Sequence, residues 1–407
     1  MNEAIENIKS KTNFYDKLLI VFITLQIFGV IGDAFQPIRI FILLFIPFVL
    51  LFFVRNKEIS SYYRYERLFF VFWILYALIT LLWAIIPIQS VKEVLYLALN
   101  FFGFFLLIVF SNKALNPQKS IMKGWVFLFI LTLPIAFYEF IFDSHLPISF
   151  QEEGMILNYG NTIINRNFAS VTYGNLNGYN TILMYMFPFI IGLLFQSKKK
   201  IHIILMWIVV FCFSYIVILN GSRGAVICLI IGFSIFGVFY FKGKKSLFLT
   251  IILFAILLIV LNNSDSIFGL IVGRFNEQGF SDEGRLLLLI SSFDAFIKSG
   301  MLGIGAGNFM PTMDSKYQLE LTAPHNLFLE IGVQYGLLML MLFIGLFIKL
   351  IIKQKSNENK WAKLIIVTAI LMFPISSTID SSYILSVNVW LFLASLFVIS
   401  DNYYNVS

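Results

Sequence analysis

Ile38–Val54 reads IRIFILLFIPFVLLFFV, with one charged side chain in the whole stretch, and the chain then meets Arg55, Lys57, Arg64 and Arg67. About 30 Å of hydrocarbon takes roughly 20 mainly apolar residues to cross as a helix. An apolar run closed by a basic cluster therefore reads as a membrane span, and the pattern recurs along the chain. Further spans are expected at Leu18–Gly32, Leu68–Ile86, Val91–Phe110, Met122–Phe142, Thr181–Phe195 and Ile201–Leu219. The remainder fall at Ala225–Phe241, Leu247–Leu261, Asn326–Ile352, Ala362–Ile379 and Tyr383–Ile399. The expected fold is all-α: a polytopic transmembrane helical bundle of about 12 spans.

Composition leads to the same class. Apolar residues make up 59% of the 407 positions and charged residues 13%, with a mean hydropathy of +0.88. Soluble domains carry nearer a quarter charged residues. Residues 1–407 read as a single transmembrane domain. The polar, lysine-bearing stretch Met1–Lys17 runs straight into the first apolar segment, the pattern of a retained signal anchor and not of a cleaved leader. Cys212 and Cys228 both lie inside apolar runs and read as small buried residues, outside any disulfide or zinc spacing. The net charge of +7 is scattered as short clusters between apolar runs, which argues against nucleic acid as a partner.

The basic residues give the bundle a direction. Of the 29 lysines and arginines, 21 fall on one alternate set of connections, including Lys198–Lys200 and Lys242, Lys244 and Lys245. The other set holds Arg39, Lys92, Arg166, Arg223, Arg274, Arg285, Lys298 and Lys316. Cytoplasmic loops are the lysine-rich ones, so both termini are expected in the cytoplasm and the second set outside. Two outer connections are long, residues 143–180 and residues 262–325, the latter between spans nine and ten. Loops of that length usually carry function. Within the second, Arg285–Lys298 reads as an amphipathic helix, with Leu286, Leu289, Ile290, Phe293 and Ile297 on one face, set to lie in the membrane interface or to pack on the bundle.

On an outer face poor in cations, each cation needs a reason. Arg223 sits in the tight connection Asn220-Gly221-Ser222-Arg223-Gly224. It is either a turn arginine snorkelling to the interface or an anion-binding group at the mouth of the bundle. Arg285 opens the amphipathic helix beside Asp282 and Glu283, where a surface ion pair is the plain alternative. His325, in Thr322-Ala323-Pro324-His325-Asn326, stands at a helix start, where the dipole disfavours the imidazolium. A neutral imidazole suits a general base, and a capping or interfacial role stays equally open. The glycines of Gly303-Ile304-Gly305-Ala306-Gly307-Asn308 lack the strand and spacing of a dinucleotide site and read as a tight re-entrant turn. Asp282 and Glu283 have no companions that would make a metal site. Asn165-Arg166-Asn167-Phe168 and Tyr173-Gly174-Asn175-Leu176-Asn177-Gly178 offer side chains suited to sugars, or simply turn chemistry.

Taken in order, these motifs resemble the O-antigen ligase and polymerase superfamily of bacterial membrane glycosyltransferases (WaaL-like and Wzy-like proteins). Tyr173–Asn180, Ser222-Arg223-Gly224-Ala225, and Gly284-Arg285 followed by Gly303–Phe309 carry the resemblance. So do His325–Glu330 and Gly336-Leu337-Leu338. It spans roughly Tyr173–Ile348; before that only hydropathy is shared. Met339 stands where the family often has a second glycine, and the Asn175–Asn177 stretch lacks a proline common there. The resemblance implies metal-independent transfer of an undecaprenyl-diphosphate-linked glycan to a sugar hydroxyl at the outer face of the bacterial plasma membrane, with no cofactor. It implies Arg223 and Arg285 on the diphosphate, where planar guanidinium forks match phosphate oxygens, and His325 as the base. It assigns Arg166, Asn177 and Asn326 to substrate binding. The implied partners are the lipid-linked oligosaccharide, an acceptor glycan, the bilayer and other polysaccharide-assembly membrane proteins.

Three readings compete. A polymerase joins repeat units of O-antigen, capsule or exopolysaccharide. A ligase moves the finished chain to another acceptor such as lipid A core. A lipid-linked oligosaccharide flippase also has about twelve spans, but the halves here look dissimilar and few ionisable residues fall mid-span. The polymerase reading is preferred because it fits bacteria with or without an outer membrane.

Overall fold

Prolines start three of the long helices: α2 (Pro37–Arg55), α5 (Pro87–Lys113) and α6 (Pro117–Phe142) each carry proline in the first turn, where its missing N–H costs nothing. The computed structural model describes residues 12–149, 155–159, 162–240, 283–319, 322–355 and 358–401. In chain order the other elements are α1 (Phe14–Thr24), α3 (Lys57–Tyr62), α4 (Arg64–Ile79), the strands β1 (Met155–Tyr159) and β2 (Thr162–Arg166), α7 (Leu176–Gln196) and α8 (Lys200–Asn220). They continue with α9 (Arg223–Tyr240), α10 (Glu283–Lys298), α11 (Phe309–Tyr317), α12 (Leu327–Lys355), α13 (Lys360–Ser376) and α14 (Val387–Ser400). The fold is helical apart from the antiparallel pair β1–β2, in which Met155 faces Arg166.

Eight helices are long and apolar enough to cross a membrane: α2, α4 with its continuation to Leu82, α5, α6, α7, α8, α9 and α12. The expected spans at Leu18–Gly32, Ala362–Ile379 and Tyr383–Ile399 correspond to the shorter helices α1, α13 and α14, so twelve full-length spans are not what the described residues hold. Each is cut short for a local reason. A 3-10 turn, Leu25–Phe28, takes over from α1 and ends at Gly29, whose φ is 47°. Ser377 closes α13, and a 3-10 turn at Tyr383–Leu385 precedes α14. The expected span Leu247–Leu261 lies outside the described residues. Cys212 and Cys228 are free thiols, as expected from their apolar settings.

Helices pack as neighbours along the chain and across it: α1 on α6, α2 and α14 on α5, α7 on α6, α8 and α13, and α9 on α13. Where α4, α5, α12 and α14 meet, buried rings interlock, with Trp73 and Trp390 centroids 5.6 Å apart and Phe101 and Trp390 5.0 Å apart. Edge-on ring contacts of this kind hold helices together where lipid removes the usual hydrophobic drive.

Two polar networks mark the two ends of the bundle. At one, buried Asp16 accepts hydrogen bonds from Asn13 N, Leu115 N, Asn116 N and Ser120 Oγ, tying α1 to the α5–α6 connection. Tyr62 and Tyr63 donate to Asp401, and Lys349 reaches Glu66 at 2.7 Å. This is the end of the lysine-rich connections. At the other end, Val30 N donates to Thr172 O, Arg39 donates to Asp33 O and Leu385 O, and Trp83 Nε1 donates to Gly303 O.

Helix α12 is broken. Gly336 has φ 78° and ψ 178°, which frees backbone groups on both sides. The glycine loop fills the gap: Ile304 N and Gly305 N donate to Val333 O and Gln334 O, and Leu337 N donates to Met301 O at 2.9 Å. A Cβ on Gly303 would stand 2.5 Å from Gln334 O, so glycine is required for this approach. The turn expected at Gly303–Asn308 is thus a plug in a broken helix. Irregular backbone within a bundle of apolar helices is tolerated when protein groups satisfy it in this way.

The helix at Glu283–Lys298 decides between the two expectations for its apolar face. Leu286, Leu289, Ile290, Phe293 and Ile297 do share a face, but that face is exposed. The buried face is Leu288, Ser291, Ser292 and Ala295, which meets Ile304, Phe309, Met313 and Val333. Small and hydroxyl side chains pack closely on the bundle, and the large apolar ones are left facing outward, as on a helix lying in a lipid interface.

Candidate active site

Arg223 is placed by the turn before it. Helix α8 ends at Asn220, Gly221 takes the left-handed conformation at φ 57°, and α9 begins at Arg223. Buried Asn220 fixes this corner: Oδ1 accepts from Ala169 N at 2.8 Å, and Nδ2 donates to Ala169 O and to Asn180 Oδ1. Gly224 lies against the end of α13, where an added Cβ would come within 2.9 Å of Ile379 Cγ1. An arginine in the first turn of a helix opposes the helix dipole. The same turn offers unpaired backbone N–H groups, so cation and helix end together favour an anion.

Residues 377–386 bring the rest of the site together. His325 Nδ1 lies 3.2 Å from the backbone oxygen of Asp380. A carbonyl oxygen only accepts, so Nδ1 carries the hydrogen and Nε2 is the basic nitrogen of the neutral ring. The Asp380 carboxylate accepts from the Asn175 side chain, and Asn175 Oδ1 caps α7 by accepting from Gly178 N at 2.7 Å. Burial pushes the Asp380 carboxyl up to about 6, with the Ser381 N–H and the Asn175 amide pulling the other way. Asp380 lines a cavity of about 220 Å³ with Gln26, Arg39, Tyr173, Thr181 and Tyr185. Arg39 is buried there, with its guanidinium 4.4 Å over the Tyr96 ring.

The sequence candidates divide into three groups. His325 and Asn175 meet Asp380, Gly224 beside Arg223 lies against the neighbouring Ile379, and half-buried Asn177 sits in the first turn of α7. Asn326 has its Oδ1 occupied as the cap of α12, accepting from Phe328 N and Leu329 N at 2.9 and 3.1 Å. Arg285 is exposed in the first turn of α10, which docks on α12, and Arg166 ends β2. The other two histidines stand elsewhere: His202 is exposed on α8, and His145 stacks on Phe168 at 4.1 Å. Sequence reasoning passed over Asp380, and it named Asn175 only within its motif and Arg39 only among the outer cations. For Asp380 a signal existed: it is a carboxylate in a connection that the basic-residue alternation groups with Arg223 and His325.

A polytopic helical membrane protein with an arginine-and-histidine site at one end of the bundle is the class these features define. The family model described as O-antigen ligase matches residues 208–344, which include Arg223, Arg285 and His325. The resemblance read from the motifs is borne out: residues 208–344 are similar to the O-antigen ligase family. It is also similar to the teichuronic acid biosynthesis protein TuaE of Bacillus subtilis (strain 168), 24% identical over 348 residues, covering 80% of this chain and 70% of that protein.

Proposed function

We propose that this protein is a membrane glycosyltransferase of polysaccharide biosynthesis, and within that class a polymerase. It transfers an undecaprenyl-diphosphate-linked glycan onto an acceptor sugar hydroxyl. The observation that carries this reading is the convergence of Arg223 and His325 on the Asp380 turn, at the end of the bundle opposite the lysine-rich connections. With those connections in the cytoplasm, the site faces outward, in a bacterial plasma membrane with both termini inside. The remaining expected spans, up to about twelve, and an outer loop at residues 262–325 belong to the same reading.

The chemistry is an inverting displacement. His325 Nε2 takes the proton of the acceptor hydroxyl as its oxygen bonds to the anomeric carbon. The bond from that carbon to the diphosphate oxygen breaks, and undecaprenyl diphosphate leaves. Arg223 and Arg285 hold the charge that develops on the leaving group, without a metal ion. Arg166 and Asn177 are assigned to the sugars, and Asn326 to keeping His325 at the head of α12. The test is transfer by purified Arg223→Ala, Arg285→Ala and His325→Ala proteins from a lipid-linked donor. Loss of transfer in all three, with folding intact, is expected; wild-type rates in all three sink the site assignment.

The printed description of the matching family, O-antigen ligase, favours a second reading, transfer of the finished glycan to a different acceptor such as lipid A core. Mass analysis of lipid-linked glycans from cells lacking the protein separates the two. Single repeat units accumulate if it is a polymerase, and long unattached chains if it is a ligase.

A further inference from the structure

A second, larger cavity of about 680 Å³ opens on the other side of the turn that bears Asp380. Ser382 and Leu385 line both cavities, and Tyr96, in the wall of the larger, carries the Arg39 guanidinium of the smaller. We propose that this larger cavity is the acceptor subsite, in which Glu93, Glu330 and Gln334 hydrogen-bond the hydroxyls of a sugar unit. The inference rests on the glycosyl-transfer reading above and names the place where the acceptor sits.

Four observations carry it. The volume is within the range of about 300–1,000 Å³ usual for small-ligand sites. The floor is polar and buried: Glu93, Glu330 and Gln334 are 5%, 2% and 2% exposed. Two of these side chains are already held in place. Glu93 accepts from Tyr335 Oη, and Glu330 Oε2 accepts from Tyr383 N at 2.9 Å. Gln334 differs, because its buried Oε1 has no hydrogen-bond partner among the described residues. A buried amide oxygen left unpaired costs stability, so its retention points to a donor that arrives from outside. Sugar hydroxyls are such donors. Finally, Pro324 lines the cavity and the next residue is His325, so the cavity borders the head of α12.

The experiment uses the full-length protein in lipid nanodiscs. The probe is the repeat oligosaccharide released by mild acid from the producing strain's own surface polysaccharide. Its Kd is measured directly, and acceptor and donor KM are measured by transfer from the lipid-linked donor. Gln334→Met removes the unpartnered oxygen at nearly constant volume, and Glu330→Gln keeps an acceptor for Tyr383 N. Both variants are expected to raise probe Kd and acceptor KM about tenfold with donor KM unchanged. Gln334→Met is expected to melt at or above the wild-type temperature, which a merely structural role for Gln334 does not predict. Unchanged probe Kd and acceptor KM in both variants overturn the assignment, as does a shift confined to donor KM. If the wild type binds the probe yet never transfers glycan, the transferase reading fails, and the Kd arm still decides whether the cavity holds sugar.

Discussion

His325 Nδ1 and the backbone oxygen of Asp380 lie 3.2 Å apart across 55 residues of sequence, joining the head of α12 to the turn before α14. The contact sets the neutral imidazole with its hydrogen on Nδ1 and its basic lone pair on Nε2. Glutamine can keep a donor on the Asp380 oxygen, but it cannot take a proton. His325→Gln is therefore expected to slow transfer by about 10²–10⁴-fold while binding of the lipid-linked donor is retained. Single-turnover transfer and donor binding on the same preparation check this, and a rate near wild type removes His325 as base.

Asp380 gives the protein a pH signature. Its carboxyl is raised from the usual 3.8 to about 6 by burial, so the folded chain holds this proton more tightly than the unfolded chain. The stability owed to that proton is complete below 3.8 and is lost as pH rises through about 6. At neutral pH the buried carboxylate costs about 2–3 kcal/mol. Asp380→Asn should flatten the fall in melting temperature over this window. An equally steep fall in the variant shows that other groups set the pH dependence.

Gly303 and Gly336 are predicted to be irreplaceable. Both have positive φ, 92° and 78°, and a Cβ on either one meets backbone atoms that cannot swing away. Alanine at either position should lower stability by at least about 2 kcal/mol, by combining left-handed strain with displacement of the loop. Gly300, with φ 64° but open space around it, is the control and should lose only the conformational part. Thermal unfolding of the three variants in one detergent ranks them.

The corner before Arg223 depends on one amide. Asn220→Ala removes hydrogen bonds to both backbone groups of Ala169 and to Asn180 Oδ1, all in buried surroundings. A loss of about 1–3 kcal/mol is expected, together with weaker donor binding, because Arg223 opens the next helix. A destabilised variant with wild-type donor binding separates the corner from the site.

On α10 the two faces should respond oppositely. Leu288→Ala, on the buried face, is expected to cost about 2–3 kcal/mol in detergent, and Ile290→Ala, which is 57% exposed, little. Replacing Ile290 and Phe293 with serine should instead weaken quenching of nearby fluorescence by bromolipids. Equal effects of Leu288→Ala and Ile290→Ala on unfolding contradict the packing described.

Much of the helical layout is legible in hydropathy, because lipid-facing helices must be apolar over most of their length. Errors occur where the first turn is polar. Helix α7 begins at Leu176 and not at Thr181, since Asn175 caps a turn that includes Asn177 and Asn180. The apolar face of α10 was legible as a face, but whether it meets lipid or the bundle was not, because close packing here is made by Leu288, Ser291, Ser292 and Ala295 on the opposite side. Arg223 and His325 could be found from charge and position alone. The contact of His325 with Asp380 joins segments far apart in sequence, which no local pattern encodes.

The joint at Gly336 is made of backbone alone, from Met301 O to Leu337 N on one side and from Ile304 N and Gly305 N to α12 carbonyls on the other. Side chains take no part in these bonds, so nearly any residue can occupy the partner positions without loosening them. Mutation can drift freely at Ile304 or Leu337 so far as these bonds are concerned, while a single methyl group at 303 or 336 jams the joint. The chemistry-bearing half of α12 is therefore insured against most of the substitutions its surroundings will meet, and exposed at two positions.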